Sequence, residues 1–154
     1  MARAASPLFT IGYEKATPAA VQAELKKARV SLLVDTRAVT SSRRPGFSKK
    51  QLAAALDEIG IAYLHLQKLG TPAEGRQAAR KGDAKTLWRI YNKHLKTPEA
   101  KEAMDELLSL LRGKQRVCLL CFERSPETCH RSRIAEIAQE RIGMKVENLF
   151  PALF

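Results

Sequence analysis

The side chains best able to do chemistry are gathered in one stretch, residues 117–133. It contains all three cysteines of the 154-residue chain, together with Glu123, His130, Arg124 and Arg131. Thiol, imidazole and carboxylate groups can act as nucleophiles or proton carriers, and a guanidinium group binds phosphate or carboxylate. The stretch therefore predicts a site at which an anionic ligand is bound and can react.

Two of the three cysteines are candidates for a reactive thiol, the alternative being that both are buried packing residues, and the third is expected to pack. On a strand, a spacing of three places Cys118 and Cys121 on opposite faces, so they cannot converge on one metal ion. Cys129 lies where a helical pattern begins, and a thiol at a helix N-terminus beside cationic groups becomes a better nucleophile. We expect Cys118 in the core, and Cys121 and Cys129 close enough to serve as attacking and resolving thiols. Because the adjacent Cys129 and His130 are poorly placed to share an ion, we expect no metal and no other cofactor.

Two carboxylates are candidates for general acid or base. Glu123 shares a strand face with Cys121, and Asp35 ends a predicted strand, where partial burial would tune its pKa. The predicted catalytic set is therefore Cys121, Glu123, Cys129 and Asp35. Alternatively, Asp35 forms a structural ion pair with one of the arginines.

The chain that must position these residues alternates strands and helices. Apolar or alternating runs predict strands at 8–13, 31–34, 61–66, 117–122 and 144–150, with helical patterns between them. This predicts a single three-layer α/β domain over residues 1–154, with a mostly parallel sheet of about five strands flanked by helices. Ligands bind beyond the carboxyl ends of such strands. The predicted substrate-binding residues are Gly12, Tyr13, Arg37, Ser42, Arg43, His130 and Arg131.

Local signals predict how several segments begin and end. Thr17 followed by Pro18 predicts a helix start, and Ser48 with Gln51 three residues later predicts a capping box. Residues 67–85 lack clear periodicity and are rich in glycine and basic residues, so we expect a mobile basic loop excursion that covers the site. Residues 1–7 are expected to be a flexible N-terminus.

The charge of the chain indicates its partners. A net charge of +11 favours an anionic ligand, namely a nucleotide, a nucleic acid or a phosphorylated small molecule. No apolar run approaches the roughly 18 residues of a membrane span, and the N-terminus lacks the apolar section of a secretory signal. We therefore expect a cytoplasmic protein that does not contact the membrane.

Several short motifs, in their order along the chain, resemble the family catalogued as domain of unknown function 488. They are Thr10-Ile-Gly-Tyr13, Val34-Asp-Thr-Arg37, Ser42-Arg-Arg, Gly46-Phe-Ser48, Tyr63 before Leu69-Gly70, Cys121-Phe-Glu123 and Cys129-His-Arg131. The family pattern usually has an apolar residue where Thr36 stands, and a second glycine near Thr71 and Pro72. The resemblance implies a compact α/β fold and one shared site built from these motifs, without an established reaction.

The leading hypothesis is a small enzyme that acts on a nucleotide or nucleic acid. In it Arg37, Arg43 and Arg131 bind phosphate, and Glu123 acts with a cysteine. One alternative is a non-catalytic nucleic-acid-binding module that grips the backbone with the basic loop 37–50 and the excursion 67–85. Another is a thiol redox or sulfur-handling protein.

Overall fold

A five-stranded, entirely parallel sheet forms the centre of the computed structural model, which describes residues 6–154. The strand order is β3-β2-β4-β1-β5, and six α-helices and two 3₁₀ turns connect the strands. The strands are β1 (Leu8–Gly12), β2 (Leu32–Asp35), β3 (Ala62–His65), β4 (Val117–Cys121) and β5 (Val146–Leu149). The helices are α1 (Pro18–Lys27), α2 (Lys49–Glu58), α3 (Ala73–Arg80), α4 (Ala84–His94), α5 (Pro98–Leu111) and α6 (His130–Ile142). The predicted three-layer α/β fold class is confirmed.

Both faces of the sheet are covered by apolar side chains, which explains the uninterrupted apolar runs of its inner strands. One face packs Phe9, Leu33 and Cys118 with the buried sides of α1 and α2. The other packs Val34 and Leu119 with apolar residues of α4, α5 and α6. Successive residues of a strand point to opposite faces, so Cys118 joins a core cluster away from Cys121. The prediction that Cys118 is a core thiol is confirmed, since it is fully buried.

Both predicted helix starts, at α1 and at α2, are confirmed, but the capping box predicted at α2 does not form. The Thr17 side chain accepts a hydrogen bond from the Ala20 N–H at 3.1 Å, and Pro18 is the first residue of α1. Ser48 is the N-cap residue of α2 but makes no side-chain cap, because its Oγ accepts the Ser42 N–H at 3.0 Å. Gln51 binds the Gly46 N–H instead of closing a capping box. The expected capping box is therefore replaced by bonds that fold the preceding basic loop.

The segment 67–85 is largely helical, and the expectation of a loop excursion was wrong there. It contains the 3₁₀ turn Gln67–Leu69, the whole of α3 and the first residues of α4. The buried residues of α3 are Gly75 and Ala78. Residues this small leave no apolar periodicity in the sequence, so the helix was missed.

Two further expectations concern the chain as a whole. The flexible N-terminus was predicted for residues 1–7, of which residues 1–5 lie outside the described part. Within residues 6–154, no helix has both the length and the apolar character needed to cross a membrane.

Candidate active site

The carboxyl ends of three adjacent strands position the candidate site. The central strand β4 pairs with β1 on one side, where Gly12 is opposite Cys121, and with β2 on the other, where Asp35 is opposite Leu120. The backbone continues this pairing beyond the strands, since the Thr36 N–H donates to the Leu120 carbonyl at 3.1 Å. The residues that follow β1, β2 and β4 therefore meet at one edge, as the position of ligand sites in parallel sheets predicts.

Gly12 is required at this edge by the closeness of the loop after β4. A Cβ atom added at Gly12 would collide with the backbone carbonyl of Glu123. Only a residue without a side chain lets the two segments approach this closely. Gly12, predicted to touch substrate, thus makes room for the loop that carries Glu123.

A cavity of about 560 Å³ opens above the strand ends and joins two chemically different groups. Its cationic side chains are Arg37, Arg76 and Arg80. Its candidate reactive side chains are Cys121, Glu123 and His130. Tyr13 also lines it, stacked on Phe47 with ring centroids 4.4 Å apart. The volume lies within the range of about 300–1,000 Å³ typical of small-molecule sites.

A cluster of two sulfurs and one imidazole forms the centre of the reactive group. His130 Nδ1 lies 3.5 Å from Cys121 Sγ and 3.9 Å from Cys129 Sγ. His130 Nε2 lies 2.9 Å from the Thr36 carbonyl oxygen, which can only accept a hydrogen bond. A neutral His130 therefore carries its proton on Nε2 and turns the Nδ1 lone pair toward the sulfurs.

The same three residues have the donor atoms to hold a metal ion. The two sulfurs and His130 Nδ1 all lie within 4.8 Å of one another. The expectation that the adjacent Cys129 and His130 are poorly placed to converge was therefore wrong. The reason is that Cys129 is in extended backbone just before α6, whereas His130 is the first helical residue, so their side chains leave the backbone in convergent directions.

The charges in this cluster are coupled. Burial opposes ionisation of Cys129, but a hydrogen bond from Cys121 and the positive charges of His130 and Arg131 outweigh it, so the pKa of Cys129 is well below its ordinary value. For Cys121, burial and the hydrogen bond with Cys129 raise the pKa well above its ordinary value. One negative charge is thus shared by the pair and is held mainly at Cys129.

Glu123 extends the cluster toward the cavity. Cys121 Sγ lies 3.2 Å from Glu123 Oε2. Burial and the negative charge of Cys129 raise the pKa of Glu123. Glu123 is therefore a carboxyl group that can exchange a proton with a molecule bound in the cavity.

Asp35 and Arg37 form a buried ion pair at the cavity wall, which Arg37 lines. Arg37 Nε and Nη2 donate to the two oxygens of Asp35 at 2.9 and 2.7 Å, and Tyr63 donates to Asp35 Oδ2 at 2.5 Å. Arg37 also donates to the Phe47 carbonyl at 2.7 Å. Asp35 is fully buried, so the structure shows the alternative in which it pairs with an arginine at the strand end.

Arg131 is also internal. Its guanidinium is fully buried and donates to the backbone carbonyls of Glu123 and Arg124, while Nε has no hydrogen-bond partner among the described residues. The side chain of Arg124 points away from the sulfurs and donates to the Pro151 carbonyl at 2.7 Å. Arg131 therefore fixes the loop after β4 from beneath instead of facing the cavity.

Two further residues predicted to bind substrate, Ser42 and Arg43, do not line the cavity. Three residues that the sequence did not predict for the site, Thr36, Arg76 and Arg80, do take part in it. Ser42 folds the basic loop by accepting the Arg44 N–H at 3.1 Å, and Arg43 is exposed. Arg76 and Arg80, assigned to the excursion, project from α3 into the wall. Thr36 orients His130, and its departure from the family pattern was the available signal.

Comparison with known proteins identifies a family for this chain but no activity. The family model described as "Domain of unknown function DUF488" matches residues 17–138. No protein of curated function and no solved structure matches the chain significantly.

Proposed function

This chain belongs to the DUF488 family, and we propose that it is an enzyme acting on a small phosphorylated substrate of nucleotide size. The observation that carries the proposal is one cavity whose lining combines arginines with the group of Cys121, Glu123 and His130. In the proposal Arg76 and Arg80 bind the phosphate, and the reactive group acts on the bound molecule.

The binding half of the proposal rests on Arg76 and Arg80. Arg76 is half-buried and uses Nη1 to donate to the Thr71 carbonyl at 2.8 Å, which aims the side chain while leaving its other donors free for a ligand. Arg80 lies one helical turn further along α3 and is exposed. Two guanidinium groups on one helix face suit a phosphate, because each can make paired hydrogen bonds to its oxygens.

The reacting half rests on the position of Glu123. Its carboxyl group stands on the cavity wall beside Cys121, and the loop that carries it is held by Arg131 and by the close approach of Gly12. A general acid or base must reach the reacting group with a fixed geometry, and this carboxyl group meets that requirement.

The basic loop 37–50 gives less support to a nucleic-acid-binding module. Arg37 is committed to Asp35, and Arg44 donates to the carbonyls of Tyr13, at 2.6 Å, and of Ala16. The loop therefore presents fewer free cations to a phosphate backbone than its sequence suggests, and the proposal favours a ligand inside the cavity.

Binding is tested by calorimetric titration with adenosine monophosphate and with inorganic phosphate. The double variant R76A/R80A should bind at least about 100-fold more weakly, because each lost charged hydrogen bond contributes about 1.5–3 kcal/mol. The control K26A/K27A removes the same charge from exposed positions at the end of α1, next to the opposite edge of the sheet. Equal weakening in both double variants would refute a specific anion site.

Turnover is tested by incubating the protein with a panel of nucleoside mono-, di- and triphosphates and resolving the products by chromatography. Glu123→Gln should abolish conversion of any accepted substrate while binding is retained. A variant that converts the substrate at the wild-type rate would remove Glu123 from the chemistry.

A second candidate, a thiol redox protein, is favoured by the closeness of Cys121 and Cys129 and by the lowered pKa of Cys129. It requires a reversible disulfide between these residues. Mass spectrometry after oxidation and alkylation would show it as a loss of two hydrogens, and a protein that forms no such bond is not a dithiol redox enzyme.

A further inference from the structure

We propose that Cys121, Cys129 and His130 bind one zinc ion, with the fourth coordination position open to the cavity. The inference deepens the proposed function, on which it rests for its substrate, by naming the group that would activate the reaction. Cys121 and His130 line the cavity, whereas Cys129 is 1% exposed and lies behind them. The ion would therefore sit at the cavity wall.

The distances fit tetrahedral coordination. At ordinary Zn–S and Zn–N bond lengths, a sulfur and a nitrogen ligand on a tetrahedral ion are about 3.6 Å apart. His130 Nδ1 lies 3.5 Å from Cys121 Sγ and 3.9 Å from Cys129 Sγ. Both separations are within a few tenths of an ångström of that value, so the nitrogen is placed to share one ion with each sulfur.

The surroundings of His130 provide an independent observation. Nε2 donates to the Thr36 carbonyl, and the Thr36 hydroxyl, 3.1 Å from Nε2, itself donates to the Leu120 carbonyl at 2.8 Å. Metal-bound histidines characteristically give their second N–H to a backbone carbonyl or carboxylate, which fixes the ring and directs the other lone pair at the ion. The edge of the sheet thus holds His130 in the tautomer that a metal requires.

The donor types and charges select zinc. Two thiolates and one imidazole favour a borderline-soft ion such as Zn²⁺ over Mg²⁺ or Ca²⁺, which prefer oxygen ligands. Two thiolates neutralise the ion, and a neutral imidazole adds no charge. Such a buried cluster carries no net charge, which limits the cost of removing it from water.

The open position gives the site a reaction class. A zinc ion with two cysteines, one histidine and a water, next to a carboxylate that is not a ligand, is an arrangement suited to hydrolysis. Glu123 Oε2 lies 3.2 Å from Cys121 Sγ and occupies that neighbouring position. We therefore assign to the cavity a hydrolytic reaction on the phosphorylated substrate or on the base that it carries.

The test measures metal on the untagged protein without any substrate. After removal of metal and reconstitution with zinc, plasma mass spectrometry should find one equivalent in the wild type and in C118A, whose cysteine lies in the core. C121S and C129S should lose this metal, whereas E123Q should keep it. Cobalt(II) titration should give intense sulfur-to-cobalt charge-transfer absorption in the wild type, C118A and E123Q only.

A further measurement does not depend on whether the C121S and C129S variants fold. Zinc, but not magnesium, should raise the melting temperature of the wild type and C118A, since a ligand that binds only the folded state stabilises it. Substoichiometric zinc in the wild type, cobalt spectra without sulfur bands, or full zinc binding in C121S and C129S would overturn the site. Loss of metal in E123Q would overturn the open position. Because no substrate is present, these failures leave the adenosine monophosphate test unaffected.

Discussion

Asp35→Asn separates a structural role of the Asp35–Arg37 pair from a catalytic one. The substitution keeps the shape of the side chain but removes the charge that Arg37 faces. Arg37 is 5% exposed and Asp35 is fully buried, and among the described residues Arg37 forms no second ion pair that could replace the lost partner. Tyr63 would also lose a charged acceptor.

The expected loss is large on the scale of protein stability. Removing one partner of a buried ion pair costs about 3–5 kcal/mol because it leaves an uncompensated buried charge. For a protein of this size that corresponds to a melting temperature lower by about 6–20 °C. Replacing both partners by apolar side chains, as in D35L/R37M, should cost less than D35N alone, since such replacements of buried pairs are often nearly neutral.

Urea denaturation followed by Trp88 fluorescence and by circular dichroism measures these free energies of unfolding, and the matched control is D57N, which removes an exposed carboxylate of α2. D57N should change the free energy of unfolding by less than about 0.5 kcal/mol. If D35N unfolds within about 1 kcal/mol of the wild type, the reasoning about the buried charge fails. If D35N also loses turnover at unchanged stability, Asp35 regains the catalytic role predicted from the sequence.

Three further results are expected. Burial and the hydrogen bond to Asp35 raise the pKa of Tyr63. At alkaline pH the folded state therefore keeps a proton that the unfolded chain loses. The contribution of Tyr63 to stability is full below about pH 10 and falls above it. Tyr63→Phe should flatten this alkaline loss in a urea series, and parallel curves would contradict it. Gly12→Ala should lower the free energy of unfolding by about 1–3 kcal/mol, because the added methyl group meets the Glu123 carbonyl. An unchanged urea midpoint would contradict this. Thr97→Ala should lower the free energy of unfolding by about 1 kcal/mol, because it removes the N-cap of α5. Thermal unfolding measures this loss, and the exposed Ser109→Ala is the control that should change little.

The sheet and its helices were predictable because their signals are local. The buried strands are continuous apolar runs. Thr17 with Pro18 marks the start of α1, because the Thr17 side chain caps the N–H of Ala20, only three residues away. The helix α3 was not predictable in this way. Its buried positions, Gly75 and Ala78, are identified only by what packs on them, since Gly75 lies against Thr71 and α4.

The residues of the site were easier to predict than their roles. The rule that strand ends meet brought Tyr13, Arg37 and Cys121 to one edge, as the structure shows. Whether an arginine faces a ligand or a carbonyl depends on side-chain contacts made across the fold. Arg131 reaches the carbonyls of Glu123 and Arg124, and no spacing within the sequence indicates that choice.

The internal arginine explains how a loop can carry a reactive group without being mobile. The chain after β4 leaves the sheet at Cys121, and one further backbone bond, from the Glu14 N–H to the Phe122 carbonyl at 2.8 Å, holds its first residue. Arg131 binds two of its carbonyls from below, and the Glu14 carboxylate accepts the Arg124 N–H at 3.0 Å from the side. Its position is thus determined by α6 and by the segment after β1. The catalysis that we propose for a carboxylate beside two sulfurs needs this rigidity, because a displacement of one ångström greatly weakens catalysis.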